Sequence, residues 1–352
     1  MSEKTVRTGR VRVDPENPDK IEIEKAARLI REGGLVAFPT ETVYGLGANA
    51  KDEKAVGRIF AAKGRPPDNP LIVHVASRQQ VFELAKVSAA ALKLMEAFWP
   101  GPLTLILPAK AGVPAPVTAG LSTVAVRMPR HRVALALIEA AGVPVAAPSA
   151  NLSGRPSPTT AEHVLADLGG KIDLVLDGGP TGLGVESTVL DLTARVPTVL
   201  RPGGVTPDEI RSVTGRVRVG RAARGFGGER RPRSPGLKYT HYAPRAPLVL
   251  VEGDPKRVDA KIKELAGRER SLGKKVGILA CSSSEAYTGC GEVVAAGRRE
   301  DPATVAAGLY AALRRLDEMG VDVILAEGIG EGGMGLAVMN RLRRAAAQII
   351  RV

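Results

Sequence analysis

Apolar residues in the first part of the chain form helical faces that alternate with short, continuously apolar runs. One such face, between residues 21 and 34, consists of Ile23, Ala26, Ala27 and Ile30. The apolar run at residues 35–38 follows directly after two glycines. Spacing of this kind predicts an amphipathic helix that ends at the glycines and leads into a buried strand.

The same alternation continues to residue 204 and indicates further helices and strands. Asp52 is placed to cap a helix that ends at Gly64, and Thr159 or Thr160 is placed to cap another. Other helices are predicted at residues 81–98 and 133–141, and strands at 71–75, 103–107, 124–128, 143–147 and 172–176, with apolar segments at 185–191 and 199–204. This order predicts an α/β domain.

A second, smaller α/β unit begins near residue 248. Strands are predicted at 248–251, 276–280 and 323–326, and helices at 258–265, 303–316 and 335–347. Such regular alternation predicts a parallel sheet with right-handed crossovers. We therefore divide the chain into a first domain at 1–219, a linker at 220–246 and a second domain at 247–352, which contains no cluster of candidate catalytic residues.

Positive charge is concentrated between Arg211 and Arg233. This stretch contains eight arginines and one acidic residue, and it carries about half of the net charge of +13. Its glycines and proline leave too few apolar residues for a core, which is typical of a linker. The charge predicts a polyanionic partner such as a nucleotide or nucleic acid.

Composition narrows the class of protein. A length of 352 residues with 44% hydrophobic residues and a mean hydropathy near zero is typical of two soluble domains. Aromatic residues make up only 3%, which argues against a surface that stacks successive bases. Cys281 and Cys290 lack zinc-site spacing, and neither a signal peptide nor a membrane-spanning run is visible. We expect reduced thiols, a cytoplasmic location and no membrane contact.

Three polar loops are candidates for ligand binding. Lys63 and Arg65 lie in a proline-restrained loop, where they either suit phosphate oxygens or only cap a helix. The threonines of segment 39–47 follow a strand and either bind a ligand or satisfy their own backbone. The loop at 148–158 offers hydroxyl, amide and backbone N–H groups to an oxyanion. None of the glycine loops has Walker or Rossmann spacing, which excludes a standard P-loop.

Arg127 interrupts an otherwise apolar strand. A buried charge is costly unless it is paired. The sequence leaves two partners open, namely an internal acid such as Glu41 or Glu186, or the carboxylate of a bound ligand.

Five segments, taken together, resemble the threonylcarbamoyl-AMP synthase family. They are Phe38-Pro39-Thr40-Glu41-Thr42-Val43-Tyr44-Gly45-Leu46, Lys63-x-Arg65-Pro66 with Pro70-Leu71, Pro148-Ser149-Ala150-Asn151-Leu152-Ser153-Gly154, Glu186-Ser187-Thr188-Val189 and Leu200-Arg201-Pro202-Gly203. The pair Lys-x-Arg and Ser-x-Asn, in this order, is the specific part. The resemblance covers roughly residues 21–244, and the remainder is similar to the two-domain branch of the family.

The resemblance implies synthesis of L-threonylcarbamoyl-AMP from L-threonine, bicarbonate or CO2, and ATP, with release of pyrophosphate. The product would serve a downstream transferase complex that forms N6-threonylcarbamoyladenosine in tRNA, and binding of tRNA or double-stranded RNA is a further expectation. The resemblance also implies a twisted, open, mixed α/β sheet around a large electropositive cavity. It further implies a smaller Rossmann-like C-terminal domain behind the linker, which would fold over the cavity as a lid. Mg2+ would be carried by the phosphates, without a metal site made by the protein.

The resemblance also assigns roles to individual residues. The signature residues expected to be catalytic are Lys63, Arg65, Ser149 and Asn151. The residues expected around ATP are Arg65, Asn69, Thr123, Ser149, Ser157, Arg201, Tyr239 and Tyr242. The residues expected around threonine are Thr42, His74, Arg127 and Ser187. The linker departs from the family pattern at Leu237 and Thr240.

Two other functions fit parts of the sequence. An RNA-binding or ribosome-assembly module would use the basic linker, but it has no need for a threonine-sized pocket. Carbamoyl transfer for metallocentre maturation normally accompanies zinc-type cysteine motifs and an acylphosphatase segment, and this sequence contains neither.

Overall fold

The first domain is built on a large sheet in the computed structural model, which describes residues 7–227, 242–281 and 284–352. The strands of this domain are β1 (Gly9–Arg12), β2 (Val36–Phe38), β3 (Gly45–Asn49), β4 (Ile72–His74), β5 (Leu103–Pro108), β6 (Thr123–Arg127), β7 (Val145–Ala146), β8 (Leu174–Asp177), β9 (Thr188–Asp191), β10 (Thr198–Arg201) and β11 (Arg218–Val219). Its helices are α1 (Lys20–Arg31), α2 (Glu53–Lys63), α3 (Arg78–Leu84), α4 (Ala89–Phe98), α5 (Ala115–Thr118), α6 (Arg132–Ala141), α7 (Ala161–Leu168) and α8 (Pro207–Thr214).

These strands form one mixed sheet in the order β1-β8-β2-β3-β7-β4-β6-β5-β9-β10-β11. Side chains alternate between its two faces, as a strand period of two requires. Val36 and Phe38 pack with α1 and α6 on one face, whereas Leu35 and Ala37 belong to the core cluster on the other face. The predicted α/β fold with an open mixed sheet is confirmed.

The second domain has a separate sheet in which every strand pair is parallel. Its elements are β12 (Leu248–Glu252), α9 (Pro255–Ser271), β13 (Val276–Ala280), β14 (Glu292–Ala295), α10 (Pro302–Glu318), β15 (Val323–Glu327), α11 (Gly335–Ala345) and β16 (Gln348–Arg351). The strand order is β14-β13-β15-β12-β16. The predicted parallel α/β domain is confirmed.

Capping residues set the helix ends that matter for the pocket. The Asp52 side chain accepts hydrogen bonds from the first-turn amides of α2, and Gly64, with φ at 59°, ends that helix. Lys63 is therefore the last residue of α2. Thr160, rather than Thr159, caps α7, because its side chain accepts from the backbone N–H of His163.

Some predicted elements were wrong in detail. Residues 81–98 form two helices, because the chain leaves α3 at Ala85 and its next amide, that of Lys86, bonds to the carbonyl of Pro108 at the end of β5. Ser88 then caps α4. The arginine-rich stretch is also not entirely a linker, since Arg211 lies on α8 and Ala223 is fully buried.

The two domains share an apolar interface. Val43 and Val185 of the first domain belong to the same buried cluster as Ala306 and Tyr310 of α10. A Cβ atom at Gly184 would lie only 2.3 Å from the Ala306 carbonyl oxygen, so α10 packs directly against this loop. Across the described ranges, no helix is both long and apolar enough to cross a membrane.

Candidate active site

A pocket opens where the ends of β2, β4, β6, β7 and β10 meet the loops that follow them. Ten of the fourteen residues assigned from the sequence line it, namely Thr42, Arg65, His74, Arg127, Ser149, Asn151, Ser157, Ser187, Arg201 and Tyr242. The empty space between the lining side chains is about 620 Å³, including the part open to solvent.

Positive charge prevails in the pocket. Among the described residues, four arginines line it, Arg65, Arg127, Arg155 and Arg201, together with one acid, Glu186. A concave surface with an excess of guanidinium groups attracts phosphate and carboxylate ligands.

Three predicted site residues are described but do not line the pocket, and Tyr239 lies outside the described residues. Thr123 begins β6, at the opposite end of the strand from Arg127. Asn69 is buried, and its carbonyl accepts a hydrogen bond from Arg65 Nη2 at 3.0 Å. The roles of Asn69, Thr123 and Tyr239 in ATP binding therefore stay predictions.

The third of these residues, Lys63, is buried behind the pocket wall, so its expected place in a surface loop was wrong. Its Nζ donates to the carbonyls of Ser149 and Asn151, each at 2.5 Å. Ser149 Oγ in turn donates to Asn151 Oδ1 at 2.6 Å. Burial, with a smaller effect from Arg65, brings the pKa of Lys63 well below its usual value. The lysine thus ties the end of α2 to the Ser-x-Asn loop and joins the two halves of the signature.

Arg127 lies at the end of β6 and makes three internal contacts. Its Nε donates to the Gly101 carbonyl at 3.3 Å and its Nη1 to Thr42 Oγ1 at 3.0 Å. Its Nη2 lies 2.6 Å from Glu41 Oε2 in an ion pair. Of the two acids considered from the sequence, Glu41 is therefore the partner of Arg127.

His74 lies next to Arg127 in parallel register between β4 and β6. Burial and the neighbouring guanidinium charge lower the pKa of His74 to about 3, so the ring is uncharged at neutral pH. Within the described parts of the chain, its buried Nδ1 has no hydrogen-bond partner. The ring therefore offers an uncharged polar group to a ligand in the pocket.

Glu186 joins both domains through its buried carboxylate. Ser157 Oγ donates to Oε1, Tyr310 OH lies 3.0 Å from Oε2, and Arg341 Nε donates to Oε2 at 2.8 Å. Burial alone would raise the pKa of Glu186, but the charges of Arg341 and Arg201 outweigh it and hold the pKa at about 2. The carboxylate therefore stays ionised throughout the physiological range.

Arg201 ends β10 and is fixed by Ser187. Its Nε donates to the Ser187 carbonyl at 3.1 Å and its Nη2 to Ser187 Oγ at 3.2 Å, while Thr104 bonds to the same hydroxyl at 2.8 Å. A Cβ atom at Gly203 would lie 2.3 Å from the Glu186 carbonyl oxygen. Only glycine allows this turn to approach the Glu186-Ser187 backbone so closely.

Sequence reasoning missed three charged or polar residues at the pocket. Arg155 belongs to the loop already singled out, and its charge was the available signal. Tyr310 and Arg341 come from the second domain, where no catalytic cluster was visible. Arg341 lies among Val338 and Leu342 at helical spacing, and a cation on an apolar helical face is the same signal that Arg127 gives in its strand.

Metal-binding residues do not cluster in the described residues. No group of three or more His, Cys, Asp or Glu side chains there could hold a metal ion.

The fold and the pocket together define an α/β protein with a cationic pocket beside the interface of two domains. Two family models match almost the whole chain. The model described as "Telomere recombination" matches residues 28–203, and the model described as "Threonylcarbamoyl-AMP synthase, C-terminal domain" matches residues 205–347. The chain belongs to the threonylcarbamoyl-AMP synthase family.

Proteins named threonylcarbamoyl-AMP synthase are similar to this chain over most of their length. The threonylcarbamoyl-AMP synthase of Pyrococcus abyssi is 53% identical over 339 residues, which cover 96% of this chain and 98% of the relative. The threonylcarbamoyl-AMP synthase of Bacillus subtilis is 53% identical over 327 residues, covering 92% and 93%, respectively.

A solved structure of P. abyssi Sua5 complexed with L-threonine has the same fold. It superposes with a TM-score of 0.93 at 53% sequence identity and covers 98% of this chain and 100% of the other. The two-domain arrangement is therefore shared with a protein that binds L-threonine.

Proposed function

We propose that this chain condenses L-threonine, bicarbonate or CO2, and ATP into L-threonylcarbamoyl-AMP and releases pyrophosphate. The observation that carries the proposal is the meeting of Arg127, Arg65, Arg201 and Ser149 in one pocket. An amino-acid carboxylate and a triphosphate both need fixed cations and donors, and this pocket supplies them for two ligands at once. Membership of the family supports the same reaction.

Threonine would bind at the Arg127 side of the pocket. Arg127 keeps N–H groups beyond those used by Gly101, Thr42 and Glu41, and a guanidinium is matched to a carboxylate. The uncharged ring of His74 would face the threonine side chain or amine without repelling an ammonium group. Ser187, held by Thr104, adds a hydroxyl at the same place.

ATP would bind along Arg65, Ser149, Ser157 and Arg201, with Asn69 and Thr123 as further contacts. Ser149 is anchored through its own carbonyl by Lys63, so its position does not depend on the ligand. Donors that are fixed before binding need little reorganisation when charge develops on the phosphates. Tyr242, together with Tyr239, would close over the nucleotide and keep water from the labile product.

The reaction joins the two ligands in two bond-forming steps. The threonine ammonium group first loses a proton to solvent, and the free amine then forms a bond to the carbon of CO2 or bicarbonate. The carbamate forms with loss of a second proton from the nitrogen when CO2 reacts, or with loss of water when bicarbonate reacts. A carbamate oxygen then attacks the α-phosphorus of ATP, and the bond to the β-phosphate oxygen breaks to release pyrophosphate. Arg65 and Arg201 would stabilise the charge on the departing phosphates, so positioning and electrostatics contribute more than a strong base.

Mg2+ would enter as the complex with ATP. The carboxylates beside the pocket, Glu41 and Glu186, are each engaged by an arginine, Arg127 and Arg341. Each carboxylate already has a counter-charge within the protein, so we expect the phosphates and water, rather than these side chains, to hold the ion.

The direct test is threonine-dependent pyrophosphate release. The protein is incubated with ATP, Mg2+ and bicarbonate, with L-threonine, L-serine or L-valine, and the adenylate is identified by mass spectrometry. We expect release only when both L-threonine and bicarbonate are present. Equal release without L-threonine would contradict the proposed function.

We further propose a cytoplasmic enzyme that serves tRNA modification, passes its product to a downstream transferase complex and contacts RNA. A groove beside α4 supports RNA contact, because Lys93, Arg195 and Arg216 line it without a carboxylate among its lining residues. Binding of tRNA that weakens steeply with salt is expected, and changing these three residues to alanine should reduce the salt dependence. Unaltered tRNA affinity in the triple variant would contradict this contact surface.

A further inference from the structure

Two side chains of the second domain reach the pocket wall of the first domain. Tyr310 of α10 and Arg341 of α11 are buried, and both contact the carboxylate of Glu186. Glu186 accepts a hydrogen bond from Ser157 as well, and Ser157 lines the pocket. One carboxylate thus connects the second domain to a pocket hydroxyl.

Arg341 also holds the turn that follows the pocket residue Arg201. Its Nη1 donates to the Pro202 carbonyl at 3.0 Å, next to Arg201 in sequence. The same guanidinium therefore fixes the Glu186 segment and the Arg201 segment at once. The distance between the Glu186 segment and the Arg201 segment therefore depends on Arg341, which belongs to the second domain.

Tyr242 is seated by the same two side chains. Its ring stacks on Tyr310 at 5.5 Å between centroids, and Arg341 Cζ lies 5.3 Å from its ring centre. Tyr242 has a φ of 66°, which is rare for a residue other than glycine and needs surrounding contacts to persist. The second domain therefore supplies the support for a residue that lines the pocket.

We propose that Tyr310 and Arg341 are positioning residues of the second domain that set the ATP-binding wall, formed by Ser157, Arg201 and Tyr242, by holding Glu186 in place. The inference rests on the proposed function, because it takes this wall to bind ATP. Of the proposed threonine contacts, Arg127 and His74 lie on β6 and β4, away from Glu186 in sequence, whereas Ser187 follows Glu186 directly and bonds to Arg201. Loss of Tyr310 or Arg341 should therefore affect the ATP wall more than the threonine contacts.

Matched variants of the full chain test the inference. Tyr310→Phe removes one hydroxyl from Glu186 and keeps the apolar packing, and Tyr287→Phe is its control. Tyr287 is also buried in the second domain, and its hydroxyl contacts the carboxylates of Asp259 and Glu327, neither of which lines the pocket. For Arg341→Gln, the control is Arg343→Gln, which lies on the same helix and pairs with Glu252 and Glu331 within the second domain.

We expect Tyr310→Phe to raise the KM for ATP about three- to tenfold, as loss of a hydrogen bond to a charged group predicts. Arg341→Gln should raise it at least about tenfold, and Arg341→Lys should recover part of the loss, because it restores the charge but not both contacts. The KM for threonine should rise clearly less than the KM for ATP in all three variants, because Arg127 and His74 are unaffected and only Ser187 adjoins Glu186, and both control variants should match the wild type. Melting temperatures measured in parallel identify any variant that fails to fold. If Arg341→Gln does not fold, Tyr310→Phe still tests the inference.

Direct binding separates this inference from the proposed function. The affinity for α,β-methylene ATP with Mg2+ is measured by calorimetry in each variant, so no turnover is needed. Wild-type protein that binds the analogue but gives no threonine-dependent pyrophosphate would contradict the proposed function only. Tyr310 and Arg341 variants that bind it as the controls do, or that lose threonine and nucleotide affinity equally, would overturn the inference.

Discussion

Arg127, which lines the pocket, forms an ion pair with Glu41 beside it, with 2.6 Å between Nη2 and Oε2. The pair gives the arginine a partner before any ligand arrives. This contact explains how a cation is tolerated at the end of an apolar strand without a bound carboxylate.

The first prediction concerns threonine affinity. Arg127→Gln should weaken threonine binding by about 2–4 kcal/mol, because a buried charge-assisted contact is lost. Glu41→Gln should lower the melting temperature of the free protein yet increase the stabilisation by L-threonine, since the unpaired guanidinium then gains its partner from the ligand. Calorimetry and thermal shifts with L-threonine measure both effects, and weaker stabilisation in Glu41→Gln would mean that Glu41 itself binds the ligand.

The second prediction concerns Lys63. Lys63→Met should lower the free energy of unfolding by about 1–3 kcal/mol for each of the two carbonyls left without a donor, and activity should fall with it. Lys54→Met, on the exposed face of the same helix, is the control and should change stability little. Urea unfolding measures the difference. Wild-type stability in an inactive Lys63→Met protein would instead indicate direct contact with the substrate.

The third prediction concerns acid stability. The pKa of His74 is about 3 in the folded protein and near 6.5 when unfolded, so the unfolded chain binds the extra proton. Stability should be complete above about pH 6.5 and fall by up to about 1.4 kcal/mol per pH unit as the pH drops toward 3. The His74→Gln variant should lack this part of the dependence of the free energy of unfolding on pH.

Urea unfolding at pH 7.5 and pH 5 in both proteins checks this expectation. Burial also lowers the pKa of His131 and His163, but they contribute equally to both proteins, so the difference isolates His74. Glu186, with its pKa near 2, adds a slope only below about pH 4.5. If stability depends on pH equally in the two proteins, His74 binds its proton in the same pH range in the folded and the unfolded chain.

The fourth prediction concerns the turn at Gly203. Gly203→Ala should lower the free energy of unfolding by about 1–3 kcal/mol or more, since the added methyl meets backbone atoms of Glu186, Ser187 and Thr188 at 2.3–2.4 Å. Gly182→Ala is the matched control, because no atom lies within 4 Å of its added Cβ. Equal melting temperatures for the two variants would mean that the turn has room to move.

Much of the fold follows from local signals. Asp52 and Gly64 fix both ends of α2 through a side-chain cap and a left-handed residue, and the apolar period places most strands. Strand β3 was not predicted, because it contains glycine at position 47. A Cβ atom at Gly47 would lie 2.8 Å from the Phe38 ring. Close packing requires glycine at this position, and glycine lacks the apolar side chain by which a buried strand is recognised in a sequence.

Pocket residues could be predicted from the sequence only where they belong to a recognisable motif. The sequence identified Lys63, but its buried position depends on carbonyls at Ser149 and Asn151, brought to it by the fold. Tyr310 and Arg341 meet Glu186 across more than 120 residues of chain, and no local period encodes that meeting. Long-range polar contacts of this kind are fixed by tertiary packing.

The junction at Glu186 limits how the two halves of the chain can be exchanged. A chimaera that takes its second domain from a relative must bring a hydroxyl and a guanidinium to the same acid, or it leaves a buried anion without its ion-pair partner. Substitutions at this junction are therefore expected to be inherited as a set, although they lie in domains that fold around separate sheets.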